Sequence, residues 1–158
     1  MLEIQNIWTL NHKIATNLDQ DFNIQTIKQW HQILMSGVIK NAGEFSKKVR
    51  VIPATDLTLT HPDDIEAELK YWLEKYKNLR SLTDIAKSHS HFELIHPFSD
   101  GNGRIGRSII LLQCLRLGFV PPLINAQNKQ MYYATLQHSQ KYAEYRPLAL
   151  FLQHNSKF

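Results

Sequence analysis

The stretch HPFSDGNGRIGR, His96 to Arg107, gathers an imidazole, a carboxylate, three glycines and two guanidinium groups. From Gly101 it spells G-N-G-R-I-G, the spacing of a dinucleotide-binding turn. That fingerprint requires a strand before it and an acid about 20 residues on to hold a ribose. Here a helical pattern precedes it, and no Asp or Glu follows Asp100 before Glu144. No G-x-x-x-x-G-K-[ST] run occurs, which removes a Walker loop as well. Zinc is a weaker reading still. His89 and His91 are two apart on a helix and point about 200° from each other, whereas a helical metal pair needs four-residue spacing. They read as one packed and one surface histidine.

A glycine-rich loop running into a helix start has positive grounds for binding phosphate. The backbone N–H groups of Gly101, Asn102 and Gly103 can converge there, and the first helical turn adds unpaired N–H groups and a partial positive charge. Arg104 and Arg107 lie in that turn, where the helix dipole disfavours a cation by ~0.3–1 kcal/mol each. A bound polyphosphate would offset this, each guanidinium taking up phosphate oxygens. Asp100 would repel such a ligand unless a hard cation lay between them, and Mg²⁺ is held by one or two carboxylates plus phosphate oxygens; a helix N-cap is the other reading of the same residue. His96, biased away from helix by Pro97, is the one group in the loop able to take a proton near neutral pH, as a general base must.

The elements that must position these groups read as helices. Leu2, Ile7, Trp8, Leu10 and Ile14 follow helical spacing, as do Ile24, Ile27, Trp30 and Leu34, stopped by Gly37. THPDDIEAELKYWLEKYKN has Pro62 and acids at its start and lysines near its end. A capping box at Ser81–Asp84 opens a helix running to about Ile95, and a core helix follows Gly103 and stops at Gly118. Two shorter helices are expected over 128–140 and 145–153. The exception is Asn41 to Thr55, where Phe45, Val49 and Val51 have strand spacing between Gly43 and Pro53. This predicts a short β-hairpin whose open edge is either decoration, blunted by Lys47, Lys48 and Arg50, or a place where an extended peptide adds.

The 158 residues are expected to form one domain, 1–158, with a hydrophobic content of 43% against 20% charged. No apolar run reaches the roughly 18 residues that span a bilayer, and the start lacks the pattern of a secretion signal. A cytoplasmic location is expected, as a resident protein or as an effector delivered elsewhere. Cys114, the single cysteine, stands in SIILLQCLRL and reads as a buried inert thiol. Net charge is +4, and between Gly101 and Ala143 there are Arg104, Arg107, Arg116, Lys129 and Lys141 but no acid. That fits an end prepared for an anion, or equally a buried helix. The basic residues surround one loop and form no stripe, which argues against nucleic acid.

HPFSDGNGRIGR resembles the Fic-family motif HxFx(D/E)GNGRxxR at every defined position. The resemblance implies an all-α helical bundle with a hairpin flap, and a transferase moving AMP from ATP to a Ser, Thr or Tyr hydroxyl of a target protein. Alternatives are another donor (UTP or a phosphocholine diester), or an inactive module that binds a nucleotide or partner. By the same resemblance His96 is the base, Asp100 the Mg²⁺ ligand, and Gly101, Asn102 and Gly103 the anion nest, with the Asn102 side chain also donating. Arg104 and Arg107 hold the outer phosphates and Phe98 anchors the loop. AGEF…VRV, with Phe45, Val49 and Val51, resembles the target-holding flap, and MYYATL the nucleotide-side helix, placing Tyr132 near the base of the nucleotide. The intact GNGR run sets the chain apart from the Doc branch, which phosphorylates. Ser46 stands where the flap commonly has arginine, and Gln140 where an asparagine often faces the nucleotide. The family's inhibitory pattern [ST]-x-x-x-E-[GN] does not occur in the chain, so inhibition would come from a separate antitoxin-like chain, belong to a longer form, or be lacking.

Overall fold

The computed structural model describes residues 1–156. Among them are seven α-helices: α1 (Leu2–Ala15), α2 (Ile24–Met35), α3 (Ile65–Lys75), α4 (Leu82–Ile95), α5 (Asn102–Arg116), α6 (Lys129–Tyr142) and α7 (Arg146–His154), with a 3₁₀ turn, Pro62–Asp64, leading into α3. The starts obey local chemistry. Asn23 and Thr26 cap α2 reciprocally, each side chain meeting the other's backbone N–H. Ser81 accepts from Asp84 N–H at the start of α4, and the Asp84 carboxylate accepts from Arg80 N–H.

Helices α4 and α5 form the centre. Phe92 and Ile95 of α4 and Ile105, Ile109 and Leu112 of α5 join the core shared with α1, α2 and α3. Ile85 and Ala86 of α4 and Ile110 and Cys114 of α5 face a second core with α6 and α7. Because apolar contacts surround α5, its pattern is not one-sided, as expected of a helix packed all round. Cys114 is fully buried and burial pushes its thiol up to about 12, so it stays a thiol. Trp8 shares the helical spacing of α1 but stays outside, stacked on His12 with centroids 5.4 Å apart.

The expected hairpin does not form: no strand occurs among the described residues. Several hydrogen bonds of 41–55 leave the segment. Ser46 N–H donates to the Pro97 carbonyl at 2.8 Å, outside the segment. Arg50 turns its guanidinium onto the carbonyls of Ile95, His96 and Thr60. Two strands alone are marginal in water, and here the end of α4 supplies better acceptors than a partner strand would. The alternation at Val49 and Val51 leaves both exposed. Among the described residues no helix is long and apolar enough to cross a membrane.

Candidate active site

His96 closes α4. Its N–H donates to the Phe92 carbonyl, and its backbone sits in the left-handed region at φ 48°. For a residue with a Cβ this costs ~1 kcal/mol or more, and it is held by the Arg50 Nε–H donating to the His96 carbonyl at 2.8 Å. The ring Nδ1 lies 3.2 Å from the Glu93 carbonyl and donates to it, which leaves Nε2 as the nitrogen with a free lone pair. Burial is the main cause lowering the imidazole's affinity for a proton; the Glu93 carbonyl raises it and Arg50 lowers it further. An unprotonated ring at neutral pH is the state a general base requires.

Past the histidine, Pro97 and Phe98 are buried, and Phe98 packs fully into the first core. Asn102 fixes the loop. Its Oδ1 accepts from Phe98 N–H at 2.8 Å and its Nδ2 donates to the Phe98 carbonyl at 2.7 Å. The Asn102 side chain thus braces the loop from within, its carbonyl and one N–H both engaged on Phe98. Gly101, at φ 80°, begins α5, and a Cβ there would lie 2.9 Å from Met35 Sδ. Its N–H is taken by Asp100 Oδ1 at 2.6 Å. Among the described residues the N–H groups of Asn102, Gly103 and Arg104 have no acceptor, so the nest is shifted one residue onto the helix.

Asp100 is well exposed, with Oδ1 also 3.6 Å from Arg104 Nη2. Oδ2 has no partner among the described residues, and nowhere among them do three His, Cys, Asp or Glu side chains converge as a metal cage. A single free carboxylate oxygen beside an anion nest suits Mg²⁺, which takes few protein ligands and completes its shell with phosphate and water. Arg104 also pairs with Glu3 of α1 at 2.6 Å. Arg104, Arg107, Asn11 and Ser108 line a cavity of about 270 Å³ whose other walls are apolar, among them Ile7, Leu111 and Pro121. The two motif guanidinium groups thus share one cavity.

Tyr132 is not in that space. It is 1% exposed, and its hydroxyl shares a hydrogen bond with His89 Nε2 at 2.7 Å. Its ring packs into the second core, and its hydroxyl also interacts with the motif guanidinium of Arg107. His91 is partly exposed and His89 buried, matching the sequence reading of that pair.

The Fic/DOC family model matches residues 21–114, which hold α2 to α4, all but the last two residues of α5, the motif loop and the 41–55 segment. The chain belongs to the Fic/DOC family. It is 31% identical over 152 residues to protein adenylyltransferase fic-1 of Caenorhabditis briggsae, covering 94% of this chain and 30% of that protein. It is 32% identical over 96 residues to protein adenylyltransferase Fic of Nematostella vectensis, covering 58% of this chain and 22% of that one. The chain therefore spans less than a third of the length of these relatives. Among solved structures, a Fic domain containing signaling protein of Bacteroides thetaiotaomicron superposes with TM-score 0.78 at 19% identity, over 98% of this chain and 67% of that one. BepC of Bartonella tribocorum, solved with bound AMPPNP, superposes with TM-score 0.69 at 17% identity, over 97% and 85%.

Four features of this Fic/DOC chain escaped the sequence reading. His31 stands between the 41–55 segment and the motif loop. It falls in register with Ile27, Trp30 and Leu34 on the buried face of α2, and a histidine on an apolar face was the available signal. Arg50 reads as an edge charge but binds the end of α4. Gly106 lets α4 and α5 approach: a Cβ there would lie 2.2 Å from Glu93 Oε1 and 2.9 Å from His89 Cε1. Glu93 is a fully buried carboxyl pushed up to about 7 by burial, with Oε1 unpaired. Gln140, whose type departs from the family pattern, turns its amide onto the Ser90 carbonyl at 3.4 Å.

Proposed function

We propose that this chain is a protein adenylyltransferase, transferring AMP from ATP to a hydroxyl side chain of a target protein. One observation carries the reading. An imidazole held unprotonated, with Nδ1 occupied and Nε2 free, stands just before a helix start with three unpaired N–H groups and two guanidinium groups. The match of His96–Arg107 to the complete family motif and the adenylyltransferase names of the relatives support it.

In this reading His96 Nε2 takes the proton of the target hydroxyl as its oxygen attacks the α-phosphorus. The new O–P bond forms as the bond to the bridging β-oxygen breaks, and pyrophosphate leaves with that electron pair. The N–H groups of Asn102, Gly103 and Arg104 orient the phosphates and stabilise charge on the non-bridging oxygens. Arg104 and Arg107 hold the outer phosphates, Arg104 exchanging Glu3 for the ligand. Asp100 would hold Mg²⁺ through Oδ2, which when bound supplies charge neutralisation on the phosphates. The exposed Val49 and Val51, together with Phe45, whose ring packs against Phe98, offer the surface on which a target segment would lie.

The test is labelling. The purified chain is incubated with Mg²⁺, a cell lysate and each α-labelled nucleoside triphosphate in turn, and His96→Ala is run beside it. Transfer of label from ATP to protein, lost in His96→Ala while ATP binding persists, is the expected result. Label from another triphosphate would reassign the donor. ATP binding without any transfer would leave a nucleotide-binding module, and transfer retained by His96→Ala would remove the base.

A further inference from the structure

His31 touches both halves of the site from inside the core. It is 0% exposed. Its Nδ1 accepts from Gly43 N–H at 2.8 Å, and its Nε2 lies 2.9 Å from the Asp100 carbonyl. Since Nδ1 accepts, the ring proton is on Nε2, which donates to Asp100. The ring lies flat on Phe98, centroids 3.7 Å apart and planes parallel, so it cannot swing without disturbing the loop's buried side chain. A buried ring with both nitrogens and one face engaged has one available orientation.

Each bond fixes something different. Holding the Asp100 carbonyl sets the plane of the Asp100–Gly101 peptide, and with it the direction of Gly101 N–H, which Asp100 Oδ1 accepts. The carboxylate is thereby turned with Oδ2 outward. Holding Gly43 N–H fixes the turn that leads to Phe45, on the Phe98 ring, and Ser46, on the Pro97 carbonyl. We infer that His31 is a positioning residue for the transfer: one neutral imidazole sets the register between the target-side segment, 41–55, and the metal-and-phosphate side at Asp100. This rests on the adenylyltransferase reading for what the register serves, but the two bonds are testable without it.

The two amide side chains separate the two bonds. Glutamine places its NH₂ near Nε2 and keeps a donor for Asp100; asparagine places its carbonyl near Nδ1 and keeps an acceptor for Gly43. Three readouts are taken: amide exchange of Gly43, affinity for ATP with Mg²⁺ by calorimetry, and the split between kcat and ATP KM for labelling a fixed amount of lysate. His31→Gln is expected to speed Gly43 exchange at least tenfold and lower apparent kcat about tenfold, with ATP affinity and KM within about twofold. His31→Asn is expected to keep Gly43 protected and weaken ATP with Mg²⁺ about tenfold. The unaltered chain is expected to show nitrogen shifts for a neutral His31 protonated on Nε2.

Identical losses in the two variants, or no change in either, would overturn the inference and leave His31 a packing residue. So would a His31 protonated on Nδ1, which settles the matter even if both variants fail to fold. Absence of transfer by the unaltered chain would overturn the adenylyltransferase reading alone, because Gly43 exchange and ATP binding still report on the two bonds.

Discussion

His89 Nε2 and Glu93 Oε1 lie 4.0 Å apart, one turn from each other on the buried face of α4, and burial shifts their proton affinities in opposite directions. Burial lowers the His89 imidazole from its ordinary 6.5 to about 3, and raises the Glu93 carboxyl from 4.5 to about 7. Between pH 4.5 and 6.5 the unfolded chain carries the proton on His89 and the folded chain carries it on Glu93. Neither state holds more protons, so the pair adds no slope to stability in that window.

Taken singly the two signs oppose. Glu93, raised, contributes stability that is full below about pH 4.5 and lost as pH rises through 7. His89, lowered, contributes stability that is full above 6.5 and lost as pH falls through about 3. Replacing Glu93 with Gln leaves only the second. The expected outcome is a variant whose stability relative to the unaltered chain falls as pH is lowered from about 7 to 4.5, by up to about 1.4 kcal/mol per pH unit. Urea denaturation of both chains across that range checks it; parallel curves would mean that Glu93 is ionised in the fold.

The contact at Gly106 yields a packing prediction. With Glu93 Oε1 2.2 Å from where a Cβ would lie, Gly106→Ala must push the α4 side chains or separate the helices. Overpacking of this kind costs ~1–3 kcal/mol, roughly 2–4 °C in Tm per kcal/mol at this length. Glu93→Ala opens the space, so the double variant should be more stable than the sum of the single effects predicts, by more than ~0.5 kcal/mol. Additive effects in a thermal melt would show that the clash lies elsewhere.

What was legible in the sequence divides along sequence distance. Helices α1 to α7 follow from apolar spacing, caps and prolines, all local signals, and the open N–H groups at the start of α5 follow from glycines next to a helix start. The parts misread depend on partners far along the chain. Val49 and Val51 have strand spacing, but a strand needs acceptors, and those for this segment came from Pro97 and the end of α4. Tyr132 stands in MYYATL, but its hydroxyl meets His89, 43 residues earlier. The link from His31 to Asp100 spans 69 residues and follows from no pattern of spacing. The candidate site's polar groups can be read from one loop; the groups that touch that loop from elsewhere come from α2, the 41–55 segment and α4.

Arg50 provides a test of how the site sets the state of its histidine. Its guanidinium holds three carbonyls at the end of α4 and the start of the 3₁₀ turn region, and its charge disfavours a proton on His96. Arg50→Gln removes the charge; Arg50→Lys keeps it but loses the fork. Because the charge lowers the His96 proton affinity, its removal must raise it. In Arg50→Gln the His96 titration, followed by NMR of the ring protons, is expected to move to higher pH, and the acid limb of the transfer rate to move with it. In Arg50→Lys that titration should stay near its original pH, while stability falls by ~1–3 kcal/mol as in Arg50→Gln, since both variants lose charge-assisted bonds to carbonyls. Equal titrations in the unaltered chain and Arg50→Gln would mean that burial and the Glu93 carbonyl set the proton affinity of His96 and that Arg50 serves only to hold the backbone.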